Sequence, residues 1–96
     1  MGRAELTFYE CQKVEEIYLL ELCIWHVEDK RYSNGVKYSL ILVNTFNAER
    51  VLMDNHFPKG DHYHLNSAEF PYEYSNEAKL IDDFKVLVHK HLGVKL

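Results

Sequence analysis

Taken as a pattern of apolar and polar positions, the chain divides into several strand-length segments followed by one helix-length segment. From 17 to 27, Ile17, Leu19, Cys23, Trp25 and Val27 fall on one side of an extended backbone, and Tyr18, Leu20, Leu22, Ile24 and His26 on the other. A strand that is apolar on both sides is normally covered on both. Val36, Tyr38, Leu40 and Leu42 then alternate with Lys37, Ser39, Ile41 and Val43, and Val51 and Met53 alternate with Leu52 and Asp54. The polar stretch 28–35 ends in Asn34-Gly35, a pair that readily adopts positive φ, and a short turn around Asn47-Ala48 separates the next two segments. Short links between consecutive strands predict an antiparallel meander. Residues 5–13 alternate weakly and read as a first strand, with a short helix as the competing assignment. His62 to Leu65 reads as a short strand. Phe70-Pro71-Tyr72-Glu73-Tyr74 has aromatics at alternate positions, and its proline suits an edge strand or an extended lip.

The helix is predicted from a change of period. Leu80, Ile81, Phe84, Leu87, Val88 and Leu92 recur at helical spacing, Ser75 or Asn76 supplies an N-cap, Glu77 lies in the first turn and Gly93 closes the last. His89, Lys90 and His91 complement the negative end of the helix dipole. The expected fold is therefore α+β: a mainly antiparallel meander of four to six strands with a C-terminal amphipathic helix packed on one face. Residues 1–96 form one domain, since a second core would lack apolar material. A helix on one side leaves the other side of strand 17–27 for a partner, and a homodimer is expected. Glu21, a carboxylate on that strand, predicts an ion pair or a place at the sheet's rim.

Composition narrows the function classes. The chain is 47% hydrophobic and 14% aromatic, as a folded domain is and a disordered one is not. Its formal charge of −4 excludes a general attraction to polyanions, so nucleic acid would have to meet a local patch, for which Lys30, Arg31, Lys37 and Arg50 are candidates. Cys11 and Cys23 have neither metal-ligand spacing nor the multiplicity of a disulfide framework, and read as small core residues in a reducing cytoplasm, with a disulfide between neighbouring strands as the alternative. The N-terminus has no signal-like apolar run and misses the myristoylation pattern after Met1-Gly2; no segment is long enough to span a bilayer, and no membrane association is expected.

The densest chemistry lies between Asp54 and His64, which holds three of the six histidines, Asp54, Asp61, Lys59 and a Pro58/Gly60 turn. His62 and His64 are two apart, so an extended backbone points both imidazoles to one side, about 6–7 Å apart at Cα. Unperturbed imidazoles exchange protons near neutrality. Lys59 could neutralise a phosphorane-like transition state, and Gly60 lets a backbone N–H approach a phosphate oxygen. With Asp54 alongside, these residues suit metal-independent RNA cleavage by the 2′-hydroxyl, a reaction needing no cofactor. The same residues suit a metal: His62 and His64 with Asp54 or His56 across the turn give three N/O ligands. They also suit a purely structural role. Asp54 and Asn55 would then cap the turn, Lys59 would pair with Asp54 or Asp61, and the histidines would satisfy buried carbonyls.

The chain resembles the TumE-like toxins of prokaryotic toxin–antitoxin modules. The resemblance rests on Ile24-Trp25, Lys37-Tyr38-Ser39-Leu40, Asp54-Asn55 followed by Lys59-Gly60-Asp61-His62-Tyr63-His64, Pro71-Tyr72-Glu73-Tyr74 and Leu80-Ile81-Asp82-Asp83-Phe84. It spans about three-quarters of the chain and leaves out the first sixteen residues. It implies a toxin made beside a DNA-binding antitoxin that is its protein partner. An RNA target follows by analogy with other small toxins.

Overall fold

The computed structural model describes residues 3–96. Met1 and Gly2, on which the acylation expectation falls, lie outside them. Six strands follow one another in the chain and in the sheet: β1 (Ala4–Val14), β2 (Tyr18–Val27), β3 (Val36–Asn44), β4 (Arg50–Asp54), β5 (His62–Leu65) and β6 (Ala68–Pro71). Every neighbouring pair is antiparallel. One helix, α1 (Glu77–Leu92), follows the sheet. The fold is α+β, with the expected meander at six strands.

Each turn has a local cause. Asn44 Oδ1 accepts from the amides of Phe46 and Asn47 and folds the chain back from β3 to β4. Between β5 and β6 the connection is only Asn66 and Ser67, because Leu65 pairs with Ala68; Asn66 takes the positive φ of 55° and its Oδ1 accepts from Arg50 N at 2.9 Å. Residues 5–13 are strand, not helix, and β1 pairs with β2 over its whole length apart from a bulge at Thr7. At α1, Asn76 Oδ1 accepts from Lys79 N, and Gly93 takes the left-handed conformation (φ 71°) that lets its N–H reach His89 O.

The core lies on one side of the sheet. Leu20, Leu22, Ile24, Tyr38, Leu40, Leu42, Val51 and Met53 share that side and are buried in one cluster with Leu80, Phe84 and Val88 of the helix and Val94 after it. The opposite side carries Leu19, Glu21, Cys23 and Trp25 of β2, Lys37, Ser39, Ile41 and Val43 of β3, and Leu52 and Asp54 of β4, since directly paired residues project to the same side. There the two-sided cover expected of β2 is not found: Leu19 and Glu21 are exposed and Trp25 is half-buried. Glu21 lies on this open face, where water solvates its carboxylate. No helix among the described residues is long and apolar enough to cross a membrane.

Candidate functional site

The residues singled out between 54 and 64 separate into two groups, sorted by strand register. Asp54 pairs with His62 across β4 and β5, Leu52 pairs with His64, and His64 pairs with Glu69 across β5 and β6. Asp54, His62, His64 and Glu69 therefore all project from the open face. The two imidazoles meet edge to face with centroids 5.0 Å apart. The expected same-side placement is what the structure shows.

Their surroundings differ. The His62 side chain is only 7% exposed; its Nδ1 lies 2.7 Å from Gly60 O and its Nε2 lies 3.0 Å from Asp54 Oδ1. Both partners accept hydrogen bonds, so Nδ1–H donates to the carbonyl while Nε2 faces the carboxylate. The His64 side chain is 19% exposed, with Nε2 3.5 Å from Glu69 Oε1. Of the pair, His64 is the one a solute can touch.

The purely structural reading pairs Lys59 with Asp54 or Asp61; in the structure it pairs with Glu69, Nζ to Oε1 at 2.7 Å. The Lys59 ammonium, with smaller help from His62 and His64, holds the Glu69 carboxyl below the usual carboxylate range. Glu69 reciprocally raises Lys59. Sequence reasoning passed over Glu69, although a signal for it existed: Asn66-Ser67 between Leu65 and Ala68 marks a two-residue hairpin, which sets residue 69 opposite residue 64.

The second group builds the loop. Asn55 is buried and leaves the face: its Oδ1 accepts from Tyr38 N at 2.9 Å and its Nδ2 donates to Val36 O at 2.8 Å. Asp61 accepts from the Tyr38 hydroxyl at 2.7 Å. Gly60 takes φ 74°, which aims its carbonyl at His62; the requirement is conformational, because a Cβ there would meet open space. His56, named as a metal ligand, is exposed in the loop with its N–H on Asp54 Oδ1, and Glu69 stands in the place expected of it beside His62 and His64. The structural capping expected of Asp54 and Asn55 is thus present, alongside the cluster.

The remaining histidines lie elsewhere: His26 Nε2 contacts Glu77 Oε1 at 3.1 Å, and His89 and His91 occupy the last helical turn. Of the expected basic patch, Lys37 and Arg50 belong to the open face, Lys37 Nζ standing 5.7 Å from the Trp25 ring centroid; Arg31 is engaged with Asp29 in the β2–β3 connection. No protein-family model, curated protein or solved structure matches the chain.

Proposed function

We propose that the protein is a small toxin of the TumE-like kind that cleaves RNA without a metal ion and is neutralised by an antitoxin protein. One observation carries the reading: two imidazoles stand side by side on an open sheet face, between a carboxylate and a lysine–carboxylate pair. In this reading His64 accepts the proton of a 2′-hydroxyl, the 2′ oxygen attacks the adjacent phosphorus, and the 5′ oxygen departs with that proton, leaving a 2′,3′-cyclic phosphate. His62 is too buried to touch RNA. It is a positioning residue, fixed by Gly60 and Asp54 and set edge to face with His64. Lys59 is exposed in its pair with Glu69, so it can turn to a non-bridging phosphate oxygen. The acidic net charge makes recognition local: Trp25 offers a ring on which a base can stack, with Lys37 and Arg50 on the same face.

The face also explains neutralisation. Leu52 is paired with His64 and Ile41 with Leu52 on the same face, so a partner that covers this apolar strip also closes access to His64. Such a toxin acts in the cytoplasm, where its RNA is.

The test is cleavage of RNA by chelator-treated protein together with growth arrest on induction, with and without the neighbouring gene product. His64→Ala is expected to lower the cleavage rate by about 10²–10⁴-fold and relieve arrest with the fold retained. Arrest that survives in His64→Ala would leave a protein that acts by gripping a partner, and full cleavage by that variant would end the catalytic reading.

A further inference from the structure

The cluster on the open face has a feature that proton transfer does not use. His62 is pinned through its Nδ1–H on Gly60 O at 2.7 Å, which fixes Nε2 as the lone-pair nitrogen of the neutral ring. That lone pair faces Asp54 Oδ1 at 3.0 Å. Two lone pairs at this separation repel unless a cation lies between or beside them, and a proton is one such cation. A metal ion is the other, and the surroundings supply further ligands. Ligand atoms of His62, His64 and Glu69 all lie within 4.8 Å of one another.

We infer that His62, His64 and Glu69 form a binding site for one zinc-class divalent cation, and that loading it closes the cluster to RNA. Two imidazoles and a carboxylate are a nitrogen-rich set that suits zinc and its transition-metal neighbours, whereas magnesium and calcium favour all-oxygen sets. The Gly60 carbonyl behind His62 is the outer partner that a metal-bound imidazole usually has, holding both tautomer and ring angle. The backbone spacing is set before any ion arrives, because the two histidines share β5 and Glu69 is directly paired with His64 across a two-residue turn. Tetrahedral ligand atoms stand about 3.3 Å apart, so the side chains need close by only roughly 1.5 Å. The competitor is Lys59, whose pair with Glu69 is exposed (side chains 60% and 41%) and of the kind that is weak in water.

Ion binding stands on this geometry alone; only the closure of the cluster to RNA rests on the cleavage reading. Chelator-stripped protein is titrated with zinc chloride by calorimetry and with cobalt(II) by its visible absorption. One ion per chain is expected, with a tetrahedral cobalt spectrum. His64→Ala and Glu69→Gln should each weaken binding at least about tenfold, while Lys59→Ala, which removes the competing ammonium, should bind as tightly or more tightly. Absence of one-to-one binding overturns the inference, as does binding unchanged in both ligand variants, which would locate the ion at other groups such as the histidines of α1. Zinc-loaded protein should cleave RNA more slowly than stripped protein, and equal rates overturn the closure. If stripped protein never cleaves RNA, the cleavage reading fails while the titration still decides the metal site.

Discussion

Asn55 joins the loop to β3 with both ends of its amide, taking the Tyr38 N–H and giving to the Val36 carbonyl in a buried setting. Removing it orphans a donor and an acceptor together, each at a cost of about 1–3 kcal/mol, and no other side chain among the described residues is hydrogen-bonded to either group. Asn55→Ala should therefore lower unfolding free energy by about 2–4 kcal/mol in urea titrations, a larger loss than any exposed loop residue would give. In the proposed reading it should also slow cleavage, because the segment from Asn55 to Gly60 presents Lys59 and the carbonyl that holds His62. At this scale the sequence was partly legible. The two-residue spacing of His62 and His64 places both on one face whatever the rest of the fold does, since side chains alternate along a strand. Burial does not follow from spacing: His62 is enclosed and His64 is not, a difference made by Gly60 and Asp54 closing over one ring. Lys59 has several acids in reach by sequence, and only the β5–β6 register selects Glu69.

The elements were legible where a period is long and where turn chemistry is explicit. The 3.6-residue stripe with Asn76 before it and Gly93 after it leads to a helix at Glu77–Leu92, and Asn34-Gly35 leads to a hairpin. The first strand was harder, because β1 is an edge exposed along nearly all of its length and so needs no strong apolar alternation. The segment from Tyr72 to Tyr74 was half-read. It is not strand, but it crosses towards the helix and brings the Tyr72 hydroxyl to Asp83 at 2.6 Å and the Tyr74 ring onto Tyr38. Burial first, then the bonds to Asp83 and Asp61, push the Tyr72 and Tyr38 hydroxyls above their ordinary value of 10.0; burial also raises Tyr74. A folded state that resists tyrosinate keeps its full contribution below the unfolded value and loses it as pH rises beyond. Urea midpoints should therefore hold steady up to about pH 9.5 and fall above it. Tyr38→Phe should make that fall shallower while lowering stability at neutral pH, because Asp61 loses its short bond. An alkaline limb identical in Tyr38→Phe and wild type would show that this hydroxyl is not what fails.

Across the whole molecule, the open face and the outer edge of β1 are two surfaces a partner can use. The open face carries the cluster, so a homodimer built through it would hide His64 from RNA. In the proposed reading, a homodimer that leaves the site open can use the outer edge of β1, the sheet edge remote from β5 and β6, whose backbone groups on that side have no strand beside them among the described residues. The bulge at Thr7 leaves Phe8 to Val14 as the regular stretch. Two copies related by a two-fold axis through the sheet must pair residues that project to the same side, which restricts the register. Centring on Glu10 sets two carboxylates against each other. Centring on Cys11 sets Tyr9 opposite Lys13, Glu10 opposite Gln12 and Phe8 opposite Val14, with no like charges in contact. We therefore expect sedimentation to show a dimer that mild oxidation locks through the exposed Cys11, and that Cys11→Ser leaves assembled but unlocked. Gln12→Glu, which faces Glu10 of the second copy with a second carboxylate, should shift the equilibrium to monomer without slowing RNA cleavage, since β1 lies at the far edge of the sheet from β5 and β6. A dimer that withstands Gln12→Glu but dissociates with Leu52→Arg, beside His64, would place the contact on the open face and make self-association a means of silencing the site.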